Sequence, residues 1–392
     1  MANIGLISGI IFYALVLIYF FHTRKKWEVH GVLALYRTQF GIRFMDSLAR
    51  RFPRTLRFLG YLGVIVGFIG MTLTFVMLLK STYDLAFVEG AQSGFAPVLP
   101  GVAIPGLPTL SFWHWLIGIF FLAVVHEFAH GVLARVHKLE VKNSGFGFLG
   151  PILLAFVEPD EKKISKAKGK VQLSVYAAGP FSNFIFAALF LLISLFIMQP
   201  LFDHIFVPSG IEVNAFTSGY PAEQSGLSLP FVIYSVNGKQ TLNTDEFLNA
   251  TADIRPYESF VLNTNQGEFT IVTTEHPKDP SRGYIGIEGI RVKTEVQSGV
   301  SEFTQKSVQW FSLLFFWLFI LNIGVGLFNL LPLGPVDGGR MFFVACTSIF
   351  KNEERAKKVW KGAMYLVLLL IFINLLPWLS KLLTFLTGFF LK

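Results

Sequence analysis

Cysteine is all but missing from this chain of 392 residues: there is one, Cys346. A single thiol excludes an internal disulfide and a zinc site built on several cysteines. Charge is also scarce. Only 15% of residues are Asp, Glu, Lys or Arg, against roughly 25% in an ordinary globular domain. Hydrophobic residues make up 53% and mean hydropathy is +0.56, so the composition reads as a multi-span membrane protein. No basic stretch is interleaved with stacking aromatics in a soluble segment. The net charge of +8 therefore does not point to nucleic acid; loops held on the cytoplasmic side of a lipid bilayer account for it.

Hydropathy predicts about six spans, near 4–21, 58–79, 112–136, 171–198, 308–331 and 360–379. The first run, Ile4 to Phe21, has no charged leader and no small-residue cleavage site after it, and reads as a retained span. The segment 22–57 is rich in arginine, from Arg24 to Arg57, which assigns it to the cytoplasm with room for a short amphipathic helix. Gly60, Gly63, Gly67 and Gly70 recur at three- and four-residue steps in the second span; they either permit close helix approach or are incidental. Residues 80–111 form a Pro/Gly-rich connection on the outer side. Residues 139–157 are apolar but broken by Gly145, Gly147, Gly150 and Pro151, which predicts a re-entrant β-hairpin rather than a span. Between 203 and 300 apolar runs shorten and acids outnumber Lys and Arg, as expected of a small domain on the outer side. Its predicted strands are 211–216, 231–236, 260–264, 268–273 and 284–287, with a helix at 244–253 capped by Asn243 or Thr244. Residues 380–392 read as an interfacial tail. The division is thus 1–111, N-terminal spans and connection; 112–202, membrane core; 203–300, outer domain; 301–350, a second core helix; and 351–392, a last span and tail.

Within the third span lies His126-Glu127-Phe128-Ala129-His130. On a helix the two imidazoles project from one face, one turn apart, and suit two ligands of a tetrahedral zinc. Glu127 lies about 100° round the helix, too far round to be a third ligand but able to reach a water at the metal. Two histidines and a glutamate at membrane depth are costly, and such groups are functional by default; a polar pair joining helices is the plainer alternative. A third ligand must come from elsewhere. Glu158 and Asp160 sit in a charged loop, and Glu353 and Glu354 in a Lys-rich run. Asp337 stands out, after an apolar span and between Pro335 and Gly338-Gly339, residues that break a helix and allow close approach. A helix N-cap is the alternative role for Asp337. Asn183 is a lone polar residue in the fourth span, able either to join helices or to support the site.

On these residues the chain resembles the site-2 proteases, intramembrane zinc metalloproteases. His126 to His130 matches that family's first signature, and Asn329 through Gly338 its second. Gly179-Pro180-Phe181-Ser182-Asn183 resembles a third motif, and Asn143-Ser144-Gly145-Phe146-Gly147 with Ala155-Phe156-Val157-Glu158 the family's re-entrant hairpin. The resemblance implies one zinc per chain held by His126, His130 and Asp337, Glu127 as general base, and Asn329 as a contact for the substrate backbone. Asn183 and Gly338 would support the site. Residues 203–290 resemble a PDZ domain through the turn Ser218 to Leu227 and the hairpin Val236-Asn237-Gly238-Lys239. They depart from it at Ser228-Leu229-Pro230, where a Gly-Asp pair is usual. The implied fold is a polytopic α-helical membrane protein with a re-entrant β-hairpin and one small extramembrane α+β PDZ-like domain. The implied function is endoproteolysis in or near a transmembrane helix of single-span substrates, with a peptide tail at the PDZ-like domain as a further partner; the short basic loops and the lack of a eukaryotic sorting signal lean towards a prokaryotic plasma membrane. A metal transporter or a non-catalytic PDZ scaffold are the competing readings.

Overall fold

The computed structural model describes residues 2–390 apart from Ala103, Pro105, Pro151 and Pro335. Two helix breakers singled out above, Pro151 and Pro335, thus lie outside the described residues. The chain divides into two compact units, Met1–Ser194 with Leu313–Lys392, and Leu195–Ser312. Among the described residues six helices are long and apolar enough to cross a membrane: Ile7–Lys26, Pro53–Phe87, Phe112–Val136, Gly169–Ile205, Glu302–Asn329 and Glu353–Ser380. The protein is therefore polytopic and α-helical, with a separate β-rich unit.

In the first unit the motif helix, Phe112–Val136, opens on Ser111, whose hydroxyl accepts the His114 N–H at 3.3 Å. The second long helix, Pro53–Phe87, starts with proline in its first turn, where no N–H is missed. Its four spaced glycines are all buried. A Cβ at Gly60 would collide with Ser174 and Leu133, at Gly67 it would lie 2.7 Å from Met341 Cε, and at Gly70 2.5 Å from Leu330 Cδ1. Close approach is thus their role, and it draws the core helix Gly169–Ile193 and the segment preceding Asp337 towards this helix.

The expected β-hairpin is present as Val141–Leu149 paired with Ile152–Pro159, but it does not stand alone. Glu28–His30 and Leu33–Thr38 extend it to a four-stranded antiparallel sheet, with Leu33 opposite Leu149 and Thr38 opposite Ser144. Arg37 reinforces the sheet by donating to Glu158 from Nε at 3.0 Å and Nη2 at 2.7 Å, and it also pairs with Glu28. The Arg37 guanidinium holds the Glu158 carboxyl below its ordinary range; burial opposes this and the Asn143 amide adds to it. The expected amphipathic helix is Ile42–Arg51, which packs Met45 and Ala49 with Val132, Leu133 and Val136 of the motif helix. Ile152–Pro159 forms one edge of the sheet.

The last helix runs from Glu353 to Phe390 without a break, so residues 380–390 of the expected tail are helical and continuous with the last span. Lysine is a good helix former, and Lys381 alone gives the chain no reason to stop.

In the second unit an antiparallel sheet takes the order Gly267–Val272, Ser259–Thr264, Phe231–Val236, Phe206–Val213, Arg291–Val296. Ile211, Val213, Phe231, Ile233, Phe260 and Leu262 form its core. Asn243 caps the helix Thr244–Thr251, accepting the Glu246 N–H at 2.9 Å. The expected strand at 284–287 is divided instead. Tyr284 ends Asp279–Tyr284, and Ile287–Glu288 pairs with Ala215–Phe216, because Gly286 turns the chain with φ +79°. The polar strand Arg291–Val296 was not apparent from hydropathy.

Candidate metal centre

The helical spacing of His126 and His130 brings both rings to one buried face, with their Nε2 atoms 3.2 Å apart. Asp337 completes a triangle. Its Oδ2 lies 3.0 Å from His126 Nε2 and 3.3 Å from His130 Nε2. Four ligands about 2.0 Å from a tetrahedral zinc are separated from one another by about 3.3 Å. All three edges match that spacing, and two imidazoles with a carboxylate are a donor set zinc accepts. Among the described residues this is the group of His, Cys, Asp and Glu side chains able to hold a metal.

Neighbouring groups set the rings. The Val175 carbonyl takes the His130 Nδ1–H at 2.7 Å, which leaves Nε2 with its lone pair directed at the centre. The buried Asn183 carboxamide lies 3.2 Å from His126 Nδ1, through its Nδ2, while its Oδ1 has no partner among the described residues. Turning the amide end for end lets Oδ1 accept the His126 Nδ1–H and frees Nε2 of that ring as well. Asn183 thus bridges the core helix to the His126 ring, a contact compatible with either of its expected roles.

Asp337 is not a helix cap. Val336 occupies the N-cap position of Asp337–Phe350, and the Asp337 carboxylate turns to the histidines. The approach depends on the glycines that follow it. A Cβ at Gly338 would meet the Leu330 carbonyl, and one at Gly339 the Leu333 carbonyl. Gly338 thus allows a turn too tight for any other residue.

Glu127 lies beside the triangle rather than in it. Its Oε2 accepts the Val157 N–H at 3.1 Å, on the edge strand of the hairpin. Glu127, His126, His130, Asp337 and Asn329 all line one cavity of about 250 Å³. Asn329 is the last residue of Glu302–Asn329.

One site residue was not read as such in the sequence. A Cβ at Gly179 would collide with Nε2 of both His126 and His130. The core helix can pass beneath the imidazoles only with glycine there. The signal was its place at the head of Gly179-Pro180-Phe181-Ser182-Asn183, the stretch that resembles a family motif, but the glycine itself was given no role there.

The family model described as peptidase family M50 matches residues 114–373. An uncharacterized protein of Methanocaldococcus jannaschii is 27% identical over 318 residues, covering 79% of this chain and 76% of that protein. A Fusobacterium nucleatum protein provisionally named a zinc metalloprotease is 32% identical over 135 residues, 34% of this chain and 36% of the relative. The zinc metalloprotease RasP of Shouchella clausii is 24% identical over 230 residues, 47% of this chain and 52% of the relative. The family match spans both histidines, Glu127 and Asp337 and covers well over half of the chain. The chain belongs to peptidase family M50, the site-2 proteases, as a zinc metalloendopeptidase.

Proposed function

We propose that this chain hydrolyses a peptide bond in or near a transmembrane helix of single-span membrane proteins. The observation that carries the reading is the triangle of His126, His130 and Asp337 at a cavity whose walls include helices of membrane-spanning length. Those three side chains would hold one Zn²⁺. When bound, zinc supplies Lewis acidity towards water and the scissile carbonyl.

The other steps belong to the chain's own residues. Glu127 takes a proton from the attacking water at its carboxylate and later delivers it to the departing amide nitrogen. Asn329 hydrogen-bonds substrate backbone at the cavity wall. A helical peptide bond is shielded by its own hydrogen bonds, so the segment to be cut must first unwind. The edge strand Ile152–Pro159 offers backbone donors and acceptors to such an extended segment, by addition of a strand. Asn183, Gly179 and Gly338 keep the ligands in register.

Arginine-rich residues 22–57 and the Lys-rich runs near 162–170 and 351–361 favour a site towards the cytoplasm, with the β-rich unit outside, in a prokaryotic plasma membrane. That unit fits a PDZ-like role. It would exclude substrates with bulky outer domains or take a peptide tail exposed by an earlier cut; the turn at Pro221 and the Asn237-Gly238 hairpin support this reading.

The test is Glu127→Gln in the full-length protein, assayed on a membrane-embedded substrate with zinc content measured in parallel. Loss of a general base predicts a fall of about 10²- to 10⁴-fold in rate with zinc retained. An unchanged rate would remove Glu127 from the chemistry.

A further inference from the structure

Arg340 plays no part in the chemistry above, yet it lines the same cavity as the metal-ligand triangle. It is three residues beyond Asp337 on one helix, so the two side chains share a face. Among the described residues lining the cavity it is, apart from the histidines, the one basic side chain, and the acidic ones are Glu127, Glu161 and Asp337. Its guanidinium rests over the ring of Tyr176, 5.5 Å from the centroid, which fixes its direction. Among the described residues its ion-pair partner is Glu161, at 3.0 Å from Nη2 to Oε1. That partner is loosely held. The Glu161 side chain is 70% exposed and that of Arg340 41%, so the pair is screened by water and weak. An oriented guanidinium with an exchangeable carboxylate partner, facing a reactive centre, has the chemistry of a recognition group.

We infer that Arg340 is a specificity residue that binds a carboxylate of the bound peptide, displacing Glu161. The inference rests on the proteolytic reading given above. Two carboxylates qualify: an Asp or Glu side chain of the substrate near the cut, and the α-carboxylate created when the peptide bond is hydrolysed. Glu161 holds Arg340 in place between turnovers and competes with the incoming group.

The experiment uses the full-length protein in liposomes with single-span test substrates. Each carries Asp, Asn or Lys in turn at the positions flanking the cut, and kcat and KM are measured separately. The wild type is expected to favour Asp at one position by about tenfold through KM, the size of one charge-assisted hydrogen bond. Arg340→Gln abolishes that preference, and Arg340→Glu turns it towards Lys. Glu161→Gln removes the competitor and strengthens the preference several-fold. A merely structural ion pair predicts the reverse for that last variant, because both partners would then cause the same loss. If instead the α-carboxylate is bound, no substrate position matters. Inhibition by the N-terminal product then weakens in Arg340→Gln, and an amidated product inhibits the wild type poorly. Equal effects of Arg340→Gln and Glu161→Gln, or neither a side-chain preference nor a difference between acid and amide products, would overturn the assignment. Cleavage of the neutral substrate by the wild type reports separately on the proteolytic reading.

Discussion

The two units bury different things. Among the described residues, the first buries His114, His126, His130, Asn183, Asn322, Asn374 and Asp160 beside its apolar contacts. The buried polar side chains of the second are Thr241, Thr264 and Thr273, and the rest of its core is aliphatic or aromatic. A buried ionisable or amide group costs several kcal/mol unless it is partnered, and it is kept where it is used. The difference fits the proposed function, in which the first unit carries the chemistry and the second would act through its surface.

That contrast can be broken in several ways, of decreasing effect. Gly179→Ala places a methyl group against both imidazoles. It should reduce zinc affinity more than any change to a residue that only supports the ligands, by at least about 100-fold, measured by competition with a chelator. Asn183→Ala leaves His126 Nδ1 without its neighbour and should weaken zinc by about 10- to 100-fold, with a parallel loss of activity. Phe231→Ala empties the core of the other unit and should destabilise that unit by about 3–5 kcal/mol, leaving zinc per chain unchanged. If zinc fell as far in this variant, the units would not be separate in function.

The smallest effect concerns pH. Glu158 has its pKa depressed in the folded protein by Arg37, so its contribution to the sheet is complete above the ordinary carboxylate pKa and is lost as pH falls through the folded value. Acidification should therefore raise hydrogen exchange in Leu33–Thr38 and Val141–Pro159, and Glu158→Gln should flatten that response.

The motif helix was legible to its ends because a long apolar run with Ser111 before it leaves little choice. The ligand triangle was legible because acids at membrane depth are so few that Asp337 had almost no competitors. The strands Glu28–His30 and Leu33–Thr38 were not. Glu28–His30 pairs only with its neighbour Leu33–Leu35, and Leu33–Thr38 joins Val141–Leu149 more than a hundred residues away; a short segment such as Leu33-Ala34-Leu35-Tyr36 does not announce which edge it will join. Arg291–Val296 was missed for a related reason. It pairs with Phe206–Val213 at the sheet edge, with mostly exposed side chains and no alternation to read. Gly179 became a site residue only through what lies above it. Its place in a motif-like stretch marked the position, but an absent side chain shows its role only once the imidazoles above it are placed.

The central claim is that His126, His130 and Asp337 close round one metal ion. The most direct test is zinc content and the zinc-edge absorption spectrum of the purified protein and of Asp337→Ala. The account predicts one zinc per chain, bound by two nitrogens and at least one oxygen at about 2 Å, and loss of that zinc in the variant. A variant that keeps its full zinc complement with an unchanged spectrum would contradict it.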